Sequence, residues 1–112
     1  MIKLRTLISE VKKKEKISSR LERCYELSGR YMYSYADSIL VHGHLINPFG
    51  KGLKEINHAW IEDGNEVFDP VMDMSWPKEV YESLFKAKVD KKYSSDEMLK
   101  KINETGHWGP WA

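Results

Sequence analysis

In the stretch INHAWIEDGNEVFDP, residues 56 to 70, His58 and Asp69 stand on either side of Asp63-Gly64, a dipeptide favoured at the centre of a two-residue hairpin turn. With that turn, Glu62 faces Asn65, Trp60 faces Val67 and His58 faces Asp69. Cross-strand neighbours have Cβ atoms about 4.5–5.5 Å apart, close enough for a carboxylate to hold one imidazole nitrogen and so orient a histidine that acts as a base. Asp69 also shares its strand face with Val67 and Val71. A carboxylate on such an apolar stripe costs several kcal/mol unless it is hydrogen-bonded, and His58 is the partner in reach. The bland account of the same residues is a half-exposed hairpin with a histidine and an aspartate opposite by chance.

A base and its orienter serve a nucleophile, and the chain holds one cysteine, Cys24. A lone cysteine excludes an internal disulfide and any multi-cysteine zinc site, which leaves a small core residue or a reactive thiol. Leu21, Cys24, Leu27, Tyr31 and Tyr35 recur every three or four residues, so Cys24 sits on the inward stripe of a helix that Ser18 or Ser19 can cap. If that helix instead begins just before Cys24, its unpaired N–H groups and positive dipole end favour the thiolate; if it begins at Ser18, that help largely disappears. Both starts fit the sequence.

The elements around these residues give an α+β fold, with helices packed on one side of a short antiparallel β-sheet of three or four strands. Leu4, Leu7, Ile8 and Val11 mark an amphipathic helix over about residues 2–15. SILVHGHLI (38–46) reads as a strand, NPFGKG (47–52) as a loop and 56–71 as the hairpin. MDMSWP is irregular, Pro77 opens a short helix to about Lys86, and Ser94 or Ser95 caps a last helix through about Asn103. The closing GHWGPW is an extended tail, held by its tryptophans.

The chain has 112 residues, 41% hydrophobic and 31% charged, the balance of one globular domain: a core over about 18–75 and a helical segment and tail over 76–112. A formal net charge of +1 gives no global pull toward nucleic acid or membrane, and KKKEK (12–16) reads as a solvated helix end. No apolar run approaches the roughly 20 residues of a membrane span, and MIKLRTLISEV is too broken by charge for a secretion signal, so the expected location is the cytoplasm.

Taken in order, CYELSGRY (24–31), HAWIE (58–62) and FDP (68–70) resemble the transglutaminase-like branch of the papain-like cysteine proteins, whose pattern is a cysteine at the head of a helix, a HAW-V/I-E strand and a DP strand. The match covers about residues 20–75. The resemblance implies a transglutaminase-like core with Cys24 as nucleophile, His58 as base and Asp69 as the group that fixes the imidazole. It further implies the Cys24 N–H as an oxyanion donor, no cofactor, and a peptide, protein or small acyl substrate. Hydrolysis is expected over transfer, because a small open site excludes water poorly. Tyr25, His42 and Trp60 are the candidate substrate-binding residues, although packing is the favoured reading for Trp60 and Tyr25.

Two other accounts use the same residues. His42 and His44, two apart on one strand face, could join His58 and Asp69 as ligands for zinc or iron, which would make Cys24 a bystander. Alternatively, the fold serves only for recognition, with Trp76, Trp108 and Trp111 forming an exposed aromatic patch.

Overall fold

The computed structural model of the chain describes residues 17–47 and 54–111. Its elements in chain order are α1 (Ile17–Glu22), α2 (Cys24–Ser34), β1 (Ile39–Ile46), β2 (Glu55–Asp63), β3 (Glu66–Asp69), β4 (Met74–Pro77), α3 (Lys78–Phe85), β5 (Lys88–Tyr93) and α4 (Ser95–Thr105). The strands form an antiparallel sheet in the order β4-β3-β2-β1-β5, so the described residues make an α+β fold with five strands and four helices. Among these residues no helix is long and apolar enough to cross a membrane. The helix expected over 2–15, the charge run 12–16 and most of the loop 47–52 lie outside the described residues.

Strand alternation assigns the core to both faces of the sheet. Leu40, Ile61, Phe68 and Tyr93 pack with Met32 of α2 and Met98 of α4, whereas their chain neighbours Val41, Trp60 and Val67 point the other way, onto Tyr81 of α3. The expectation of helices on one side is therefore corrected: α3 covers the second face. It carries the chain from β4 at one edge of the sheet to β5 at the other, across the face that α2 and α4 leave open. MSWP, expected to be irregular, pairs as β4 along β3, with Trp76 level with Val67. Strand β5 has no counterpart in the sequence reading, because KVDKKY has one buried residue, Tyr93, and hence little apolar alternation.

The hairpin closes differently from the expected register. Asp63 pairs with Glu66, Glu62 with Val67 and Ile61 with Phe68, so the turn is Gly64-Asn65 rather than Asp63-Gly64. Gly64 has φ 60° and takes the first central position, where a turn of the II′ kind wants glycine. Relative to expectation β3 has moved by two residues, and a shift of two leaves every side chain on its original face. His58 and Asp69 still share a face, as diagonal neighbours and not as a directly opposed pair.

Helix α4 starts where the sequence indicates: the Ser94 hydroxyl accepts from the Glu97 N–H at 3.2 Å and the Glu97 carboxylate accepts from the Ser94 N–H at 3.0 Å, a closed capping box. The tail is held by its tryptophans, as expected. Trp108 lies on Gly29 of α2 so closely that a Cβ there would stand 2.5 Å from its ring, and Trp111 packs edge-on against Tyr93.

Candidate active site

Cys24 is the first residue of α2. Arg23, at φ −102° and ψ 18°, interrupts what would otherwise be one helix from α1, and Leu27 N–H bonds to its carbonyl at 2.8 Å as the new helix begins. Both starts left open by the sequence are therefore realised in part: a helix spans Ser18 and Ser19, and a second one begins at the cysteine. The Cys24 side chain packs in a cluster with Leu27, Ala59 and Val71.

Asp69 ends β3 and is held by four hydrogen bonds. Its Oδ1 accepts from the backbone N–H groups of Val71, at 2.9 Å, and Met72, at 3.4 Å, an Asx-type turn that Pro70 favours by fixing its own φ. Its Oδ2 accepts from His58 Nε2 at 2.8 Å and from the Tyr81 hydroxyl at 2.7 Å. A carboxylate only accepts, so the proton lies on Nε2 and His58 turns Nδ1 away from the aspartate. Nδ1 is buried, and no described residue closes a hydrogen bond on it.

Burial on its own disfavours the charged imidazole, but the hydrogen bond to Asp69, the proximity of Cys24 and the charges of both outweigh it and raise the His58 pKa to about 9. Cys24 thus lies near enough to act on His58, although no hydrogen bond closes on Nδ1. The arrangement can hold an imidazolium between a sulfur and a carboxylate, and a thiol proton passed to His58 would leave the thiolate–imidazolium pair that thiol-based acyl chemistry uses.

All three groups are buried: Cys24 is 3% exposed, His58 1% and Asp69 0%. The small open site on which the preference for hydrolysis over transfer rests is not found among the described residues, and that preference loses its basis. Leu21 and Tyr25 pack on the cysteine cluster, and Arg20 Nη2 donates to the Pro70 carbonyl at 3.0 Å, which ties α1 to the turn after Asp69. A groove of about 540 Å³ between β5 and α4, lined in part by Tyr93 and Trp111, does not include the three residues.

Of the candidate substrate-binding residues, Tyr25 is half-buried, with its ring edge-on to His42 at 4.8 Å. Burial, then the charges of Cys24 and Asp90, push its hydroxyl up to about 12. His42 is wedged among Tyr25, Tyr93 and Trp111; its Nε2 is unpartnered, and burial lowers its pKa to about 4. Trp60 is core, stacked at 6.2 Å from His58 and packed on Tyr81.

The rival constellations do not assemble. His42 pairs with Ala59 and Gly43 with His58, so His42 and His44 face one side of the sheet and His58 the other. His44 is engaged by Asp90 at 3.1 Å, and among the described residues no group of three His, Cys, Asp or Glu is placed to hold a metal ion. Trp76, Trp108 and Trp111 are half-buried and separately packed, on Phe85, Gly29 and Tyr93 respectively, and form no common exposed patch.

Sequence reasoning missed Tyr81. It lies on the apolar stripe of α3, and only the crossing of that helix over the sheet brings its hydroxyl to Asp69. Compared with known proteins, the chain matched no family model, no curated protein and no solved structure.

Proposed function

We propose that the protein carries out thiol-dependent acyl chemistry on a transglutaminase-like core. The observation that supports this most is the buried His58–Asp69 hydrogen bond beside a cysteine that begins a helix. In the proposed reaction the Cys24 thiol gives its proton to His58 Nδ1 as the sulfur attacks an amide or ester carbonyl, and the S–C bond forms as the carbonyl pair moves to oxygen. The Cys24 N–H at the start of α2 is the oxyanion donor. Collapse of the tetrahedral intermediate expels the leaving group, which takes the proton from His58, and leaves a thioester on Cys24. Neutral His58 then removes a proton from water or an amine, whose attack releases the acyl group and regenerates the thiol.

The direct test is acylation: p-nitrophenyl acetate should release one equivalent of nitrophenolate in a burst and add one acetyl group to Cys24, located by peptide mass. Absence of acetyl-Cys24 in folded protein, with labelling only after unfolding, would contradict the proposal. One observation favours a second account, a binding domain that keeps the fold without turnover: the thiol is closed off from solvent. That account predicts no burst.

A further inference from the structure

A buried phenol that donates to a carboxylate already engaged by a histidine needs an explanation that packing does not supply. The Tyr81 ring is fully buried, packed against Trp60 at 5.5 Å, Trp76 at 5.4 Å and Phe85 at 5.1 Å, a site that phenylalanine would fill as well. Its hydroxyl is the one polar feature added there, and it reaches Asp69 Oδ2 at 2.7 Å, the oxygen that also accepts from His58 Nε2 at 2.8 Å. Oδ1 is taken by the Val71 and Met72 amides, so the carboxylate has no further role in the sheet.

We propose that Tyr81 is a positioning residue of the candidate centre: by sharing Asp69 Oδ2 with His58, it fixes the carboxylate and divides the negative charge that holds the imidazole. The inference rests on the reading of Cys24, His58 and Asp69 as a working triad. Three groups face His58: Asp69 from β3, Cys24 from the start of α2, and Tyr81 through Asp69 from α3. Of these, Tyr81 is a permanent donor, since burial, then the charge of Asp69 and the hydrogen bond to it, hold its hydroxyl far above the ordinary phenol range. Without that donor Oδ2 serves His58 alone, with only the Val71 and Met72 amides left on Oδ1. The imidazolium is then bound more tightly and gives its proton to a leaving group less readily.

The test follows the His58 ring by NMR from about pH 5 to 10.5 in the full chain, with Cys24 alkylation measured alongside. In Tyr81→Phe the His58 titration should move up by roughly half a pH unit or more. In Trp76→Phe, which alters the same packing but leaves the hydroxyl, it should stay in place. Replacement of Tyr81 by 3-fluorotyrosine, which keeps the ring and strengthens the donor, should move it down, and this variant decides the matter if Tyr81→Phe does not fold. Unchanged titration in both Tyr81 variants, or an equal shift in Trp76→Phe, would overturn the proposal. Because the ring is read directly, an inert Cys24 would count against the acyl chemistry and not against the coupling of Tyr81 to His58.

Discussion

His58 and Asp69 meet through a 2.8 Å hydrogen bond although they are diagonal, not opposed, across the β2–β3 hairpin. β3 ends at Asp69, and the aspartate's remaining bonds run to Val71, Met72 and Tyr81, so the contact is built from a turn and a crossing helix as much as from the sheet.

Replacing Asp69 by Asn should damage both stability and reactivity. The amide keeps the size but presents N–H groups to one of two sets of donors, Tyr81 and His58 or the two backbone amides. Breaking a buried charged contact of this kind costs about 3–5 kcal/mol. Urea unfolding of Asp69→Asn should show a loss of that order, and Cys24 labelling near pH 7 should slow, because His58 loses the carboxylate that favours its charged form. A variant as stable as the parent would mean that the carboxylate is not the anchor described.

Stability should peak near pH 6.5, because two histidines are shifted in opposite directions. The His58 pKa is raised from 6.5 to about 9: its contribution is fully present below pH 6.5 and is lost as pH rises through about 9. The His42 pKa is lowered from 6.5 to about 4: between these values the unfolded chain binds a proton that the folded chain refuses, so stability falls as pH drops through that window. Thermal unfolding from about pH 4 to 10 should trace both limbs. His42→Phe should flatten the acidic limb alone and His58→Gln the alkaline one; a limb that survives its own substitution would contradict the assignment.

How far these groups could be read in advance depended on what each contact required. Cys24, His58 and Asp69 could be named because a helix stripe and strand alternation fix which way side chains point, and a two-residue slip in the hairpin leaves faces unchanged. The register itself is not legible: Asp63-Gly64 and Gly64-Asn65 both suit a two-residue turn, and the observed pairing takes the second. Strand β5 escaped notice because an edge strand with one buried residue carries almost no periodic signal. Tyr81 was illegible for a different reason, since its role exists only once α3 has crossed the sheet.

The closed site makes labelling of Cys24 depend on an opening, and the Arg20 to Pro70 bond is the polar tie of α1 to the turn beside it. Arg20→Ala should raise the alkylation rate of Cys24 several-fold at fixed pH while the melting temperature changes by only a few degrees, the signature of local rather than global opening. Rates that track global stability across variants would show instead that the thiol is reached only on unfolding.

The central claim is that His58 activates Cys24. Its most direct measurement is the rate of iodoacetamide alkylation of Cys24 by intact mass, from pH 5 to 9, in the parent chain and in His58→Ala, with chelator added in a parallel series. The account predicts fast labelling that has reached a plateau by pH 7, is indifferent to chelator and collapses in His58→Ala. Labelling that is slow, rises only above pH 8 and is the same in both proteins would contradict it.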